Sequence, residues 1–133
     1  MILDTAFLID LLRREQAAFD KGVELAEDGI AQRVPVPVLY ELEYGAQLHG
    51  TEDEKRAIGN LNRLYPIVRV NEEIARTAAR LIAAADRDAG GAGQTGIDDI
   101  DPLVVAIAET VGEPVLTANV ADFETLGVDV ETW

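Results

Sequence analysis

The sequence predicts an α/β fold: a three-layer α/β/α domain around a mostly parallel central sheet of four to five strands. Short apolar runs alternate with helical patterns along the 133 residues. Strands separated by helices imply parallel pairing through right-handed crossovers, with helices on both faces. The length suits a single domain, residues 1–133, because domains typically hold about 100–150 residues. There is no repeat and no low-complexity tract, and only Gly90–Gly96, with four glycines, looks like a linker.

The elements follow in order. Met1-Ile2-Leu3 is an apolar run that ends at Asp4, as a buried strand would. Phe7, Leu8, Leu11 and Leu12 recur at helical spacing. Ala17 to Glu27 continues as a helix with Val23, Leu25 and Ala26 inward, closed by Gly29. Ile30 to Val36 is the second strand, shortened by Pro35. Pro37 suits the first turn of a helix whose stripe is Leu39, Leu42, Ala46 and Leu48. Thr51-Glu52-Asp53-Glu54 is a capping box for a helix bearing Ile58, Leu61 and Leu64. Pro66 to Val70 is the third strand. Asn71 caps a long helix with Ile74, Ala78, Leu81, Ile82 and Ala85 on one face. Asp101-Pro102 opens another through Leu103, Val104 and Ile107. Pro114 to Thr117 is the fourth strand, and Val128-Asp129-Val130 makes a fifth.

Composition excludes several chemistries. With no cysteine, a thiolate zinc site, an iron–sulfur cluster and a cysteine nucleophile are impossible, and a reducing cytoplasmic setting is expected. No apolar run nears the ~20 residues of a membrane span, and no secretory signal is visible. Hydrophobic residues make up 48%, which is ordinary for a globular core. Without serine there is no Ser–His pair, and one histidine, His49, rules out cleavage by paired histidines. No GxxxxGK(S/T) appears, and Gly90–Gly96 follows a helix, so neither a P-loop nor a dinucleotide fingerprint is present.

The charge is unusual. Asp and Glu number 25 against 11 Lys and Arg, a net charge of −14, and only Lys21 and Lys55 are lysines. Such a chain repels itself and nucleic acid at low salt, whereas molar salt cuts the screening length to about 3 Å. The pattern suits a salt-loaded cytoplasm, as in halophilic archaea. A merely acidic mesophilic protein is the plain alternative.

In an open parallel sheet, ligands bind beyond the carboxyl ends of the strands. Asp4 ends the first strand, Glu41 lies early in the helix after the second, Asp101 begins the helix before the fourth, and Asn119 and Asp122 follow the fourth. Four carboxylates converging there would raise one another's pKa unless a cation neutralised them. Hard divalent cations such as Mg²⁺ take oxygen ligands of this kind, and such a centre activates water and steadies phosphoryl oxygens. Structural roles compete. Asp101 before Pro102 is also a good N-cap, Asp122 also caps a short final turn, and Glu41 is balanced between the two readings. Asp4 is the strongest, because an unpartnered charge between two apolar segments is costly. Asp98 and Asp99 read as solvated loop acids, His49 as a surface residue, and Tyr44 and Tyr65 as core rather than base-stacking platforms.

Four segments resemble the motifs of PIN-domain proteins, in order and over essentially the whole chain. They are Leu3-Asp4-Thr5-Ala6-Phe7-Leu8-Ile9-Asp10, then Pro37-Val38-Leu39-Tyr40-Glu41-Leu42-Glu43-Tyr44-Gly45, then Ile97 to Asp101 with Leu103-Val104-Val105-Ala106, and Leu116-Thr117-Ala118-Asn119-Val120-Ala121-Asp122-Phe123. The nearest subgroup is the VapC type, the toxin of a toxin–antitoxin pair. The resemblance implies a Mg²⁺- or Mn²⁺-dependent endoribonuclease that leaves a 5′ phosphate, is inhibited by a VapB-type antitoxin and is usually a homodimer. It also implies that Asp4, Glu41, Asp101 and Asp122 are the catalytic, metal-binding carboxylates, supported by Thr5 and Asn119. The fourth position in the family falls where either Asn119 or Asp122 stands. Ala6 departs from the family, where Asn or Ser is common, which keeps a degenerate, non-catalytic binder in view. Arg13 and Arg14 either hold the RNA backbone or form a solvated helix end. A haloacid-dehalogenase-type phosphatase needs a second Asp two residues after the first, where Ala6 stands. A response-regulator receiver needs an adjacent acidic pair and a late lysine, and neither is present.

Overall fold

The computed structural model describes residues 1–133. Five short strands form: β1 (Ile2–Leu3), β2 (Val34–Pro35), β3 (Ile67–Val68), β4 (Val115–Leu116) and β5 (Val130–Glu131). Eight helices join them: α1 (Thr5–Leu12), α2 (Gln16–Glu27), α3 (Val36–His49), α4 (Glu52–Gly59), α5 (Leu61–Leu64), α6 (Glu72–Asp88), α7 (Asp101–Val111) and α8 (Val120–Leu126). No helix is long and apolar enough to cross a membrane.

All strand pairs are parallel, but regular pairing is split. One sheet has the order β1-β4-β5 and the other pairs β2 with β3. A parallel bridge between Ile2 and Arg33 joins them: Leu3 N–H donates to the Arg33 carbonyl (2.9 Å), and Arg33 N–H to that of Met1 (3.0 Å). The resulting line-up is β3-β2-β1-β4-β5. Successive strand side chains point to opposite faces, yet Ile2, Leu3, Val34, Val115 and Leu116 are all fully buried. Both faces are therefore covered, as an all-parallel sheet requires. The chain builds outward from β1 to β2 and β3, then returns to build β4 and β5 on the other side. The order thus reverses between β1 and β4, and a crevice opens beyond their carboxyl ends.

The capping signals behave as the sequence predicts. Thr51 and Glu54 form a reciprocal capping box at α4, and Asn71 Oδ1 accepts from Ile74 N–H at α6 (2.9 Å). Gly112 ends α7 at φ +70°, a conformation that glycine adopts without steric penalty. Other expectations shift. The second strand shrinks to Val34–Pro35, because α3 already starts at Val36. The helix after Thr51 breaks at Asn60, leaving Leu64 73% exposed. On α2, Ala18 and Leu25 face the core, while Val23 and Ala26 face outward. The fifth strand falls at Val130–Glu131, later than expected.

Candidate metal centre

The crevice between β1 and β4 collects acids from four elements. Asp4 leaves β1 with extended backbone and precedes α1. It does not cap that helix through its side chain. Instead its Oδ2 accepts from the Thr117 hydroxyl at the end of β4 (2.7 Å). Thr117 is fully buried and Asp4 only 6% exposed. Glu41, one turn into α3, accepts a short hydrogen bond from Thr5 Oγ1. Asp101, 8% exposed, sits in the first turn of α7. Asn119 Nδ2 donates both to Asp101 Oδ2 (3.1 Å) and to Asp122 Oδ2 (2.7 Å), bridging the two acids. Asn119 is held in turn by its own N–H, which donates to Thr117 Oγ1 (2.9 Å).

These carboxylates have neutral donors but no cation. None of Asp4, Glu41, Asp101 and Asp122 belongs to any ion pair of the structure. Their protonation reflects that. Burial pushes the Asp4 and Glu41 carboxyls up, against the opposing pull of Thr117 and Thr5. Asp101 is pushed up to about 7, first by burial and then by the charges of Asp98, Asp4, Glu41 and Asp122. The first-turn amides of α7 favour a negative charge, but burial and the surrounding acids outweigh them.

Two readings of single residues change here. Asp101 is not the N-cap of α7. Asp98 does that work, its Oδ1 accepting from Ile100 N–H (2.8 Å) and Asp101 N–H (3.1 Å). Asp98 and Asp99 are exposed loop acids, as expected, but the charge of Asp98 also acts on Asp4, Glu41 and Asp101. Asp side chains commonly accept from backbone N–H groups two and three residues on, so a local signal was present at Asp98. Thr117 is the supporting residue that sequence reasoning passed over. A hydroxyl ending a buried strand beside an acidic one was its only trace. Tyr44 is not core: it is 59% exposed and lies near-parallel to Tyr40, with ring centroids 6.3 Å apart. Tyr65 packs partly buried against the core.

The donor set, oxygen only and without a compensating cation, suits a hard divalent ion. The side chains are gathered but not closed: no group of three or more His, Cys, Asp or Glu stands arranged to hold a metal ion.

Comparison with known proteins agrees with the architecture. Residues 1–127 match the family model for the PIN domain. The chain is 34% identical over 122 residues to the ribonuclease VapC19 of Mycobacterium tuberculosis strain H37Rv, covering 92% of this chain and 90% of that protein. In fold it is similar to VapBC2 from Rickettsia felis bound to a promoter DNA fragment (TM-score 0.82, 16% identity, 99% of this chain and 97% of that one). It is equally similar to DNA-bound VapBC from Salmonella typhimurium (TM-score 0.82, 19% identity, 99% and 96%). With the four motifs in order and the acids gathered where the strand order reverses, this chain belongs to the PIN-domain family.

Proposed function

We propose that this protein is an endoribonuclease of the VapC type, hydrolysing RNA phosphodiester bonds with Mg²⁺ or Mn²⁺ as the toxin of a toxin–antitoxin pair. One observation carries the reading: the buried carboxylates Asp4 and Asp101 and the half-buried Glu41 share a crevice with no cation to balance them. The 34% identity to a VapC ribonuclease across nearly the whole chain supports the substrate class.

Asp4, Glu41 and Asp101 would hold the ion, with Asp122 as the fourth carboxylate. When bound, a divalent cation supplies water activation and charge stabilisation at the phosphoryl oxygens. The remaining work belongs to the chain. Thr117 and Thr5 fix the orientation of Asp4 and Glu41. Asn119 holds Asp101 and Asp122 together. Bridging both acids, it acts as an assistant rather than a replacement for Asp122. Residues 1–133 work as one unit in the cytoplasm.

The partner is a VapB-type antitoxin, in keeping with the VapBC complexes that share the fold. The exposed row Val36, Tyr40, Tyr44 and Leu48 along α3 offers the apolar surface that a homodimer needs. The charge of −14 fits a halophilic cell, where salt mutes repulsion between the protein and RNA.

The test is direct. Purified protein is incubated with total RNA in high KCl with Mg²⁺, with Mn²⁺ or with chelator. Defined cuts appear only with metal, and Asp4→Asn abolishes them while leaving the folded circular dichroism spectrum intact. An active Asp4→Asn protein refutes the assignment. Metal-independent silence with retained antitoxin binding establishes the second reading, a PIN domain that only binds. That reading draws on Ala6 and on the open arrangement of the acids.

A further inference from the structure

Beside the acidic crevice lies an open cavity of about 220 Å³ between α1, α3 and α4. Glu41 forms one of its walls, so anything seated there abuts the candidate metal centre. Ile9, Leu12, Leu42 and Ile58 give it an apolar floor, and Arg13 and His49 stand among its lining residues. Its other acid, Glu54, is already engaged, accepting from Thr51 N–H in the α4 capping box (2.7 Å).

Arg13 is the unexpected member. The chain carries 25 acids against 11 basic residues, yet Arg13 makes no ion pair. The turn that follows it is strained: Arg14 is the one non-glycine residue with positive φ, at 62°. Glycine is usual at this position after a helix, and a side chain there carries a steric penalty. An arginine and an imidazole able to donate a hydrogen bond, beside an apolar floor, match a phosphate joined to a flat ring. The volume is below the roughly 300–1,000 Å³ of pockets that engulf a drug-sized ligand. It suits one planar ring system.

We propose that this cavity is a nucleobase subsite for the RNA substrate. One base lies on the Leu12, Leu42 and Ile58 floor, and its phosphate meets Arg13 and His49. The subsite then selects which nucleotide stands next to the bond being cut. This rests on the ribonuclease reading above.

The test uses the intact chain in chelator, so that the metal centre stays out of the measurement. The four nucleoside 5′-monophosphates and inorganic phosphate are titrated separately by ¹H–¹⁵N NMR. The expected result is saturable shifts of the Gly45 and Gly50 amides and of the His49 ring with at least one nucleotide, larger than those from phosphate. Gly45→Leu is the matched variant. A Cβ added at Gly45 meets nothing within 4 Å, and leucine favours a helix over glycine, so the variant folds and its longer side chain projects into the cavity that Gly45 lines. It should weaken nucleotide binding and raise the KM for RNA at least tenfold, and relax the cleavage preference. Equal shifts from inorganic phosphate would reduce the site to an anion rim and overturn the proposal. So would unchanged RNA preference in Gly45→Leu with loss of antitoxin binding, which marks a protein groove. RNA cleavage without nucleotide shifts overturns this inference alone. Nucleotide binding without RNA cleavage overturns the ribonuclease reading instead.

Discussion

Asp101→Asn should make the metal-free protein more stable while destroying its activity. Each pKa unit corresponds to 1.36 kcal/mol, so a rise from 3.8 to about 7 means that full ionisation of Asp101 costs the folded state about 4 kcal/mol. Asp98 and Asp122 open the cluster to solvent, and screening at that mouth reduces the figure to about 2 kcal/mol. Losing a charge from the first turn of α7 gives back about 0.5 kcal/mol. The Asn119 hydrogen bond survives, because an amide oxygen still accepts. The net gain is about 1–2 kcal/mol, or roughly 5 °C in Tm for a chain of this size. The pH dependence has a definite sign. The folded-state pKa is the higher one, so between about 4 and 7 the folded state holds the extra proton and wild-type stability falls as pH rises. The penalty is absent below about pH 4 and complete above about pH 7. Urea titrations of both proteins in chelator, at constant KCl, should therefore separate at pH 8 and coincide at pH 4. Equal stability at pH 8, or a gain that persists at pH 4, refutes the claim that burial and the neighbouring acids make a charged Asp101 costly in the folded state.

Thr117→Val keeps the shape of the β4 end but removes the donor to Asp4. A buried acceptor left unmatched costs about 1–3 kcal/mol, and an unchanged urea midpoint would show that the hydroxyl does not hold Asp4. RNA cleavage should persist or rise as KCl approaches the molar range, since screening offsets repulsion between a chain of charge −14 and RNA. A steep fall across the same range counts against the halophilic reading.

Strand ends and the charges on them were legible because burial leaves a sharp trace. Met1-Ile2-Leu3 stops at Asp4, and only a partnered polar group tolerates that position; Thr117, an uncharged hydroxyl read as the last residue of the fourth strand, left no such trace. The caps at Thr51 and Asn71 were legible for a similar local reason, since their partners lie three residues away. What failed depends on distant partners. The length of β2 is decided by pairing with β3, which no local pattern reports. On α3, Leu39, Leu42 and Ala46 form one apolar row, and Val36, Tyr40, Tyr44 and Leu48 form another at four-residue spacing. Periodicity cannot say which row turns inward, so Tyr44 and Leu48 were assigned to the wrong side. Asp98 is the solvated loop acid expected, and its further effect on Asp4, Glu41 and Asp101 went unread because it depends on where distant segments meet.

The neutral donors decide what a cation would do to this fold. Thr5, Thr117 and Asn119 satisfy lone pairs on Glu41, Asp4 and Asp101 but cancel no charge, so the repulsion stays in the folded state. A ligand that binds the folded state alone stabilises it by RT ln(1 + [L]/Kd), about 2.7 kcal/mol at a hundredfold excess over Kd. Mn²⁺ should therefore raise the urea midpoint of the wild type by an amount that grows with concentration. Asp101→Asn, with one carboxylate fewer and its repulsion already relieved, should gain far less. The two effects are alternatives: substitution and cation remove the same unfavourable energy and should not add. If Mn²⁺ stabilises both proteins equally, the ion is bound elsewhere, and the crevice at the ends of β1 and β4 is not the metal centre.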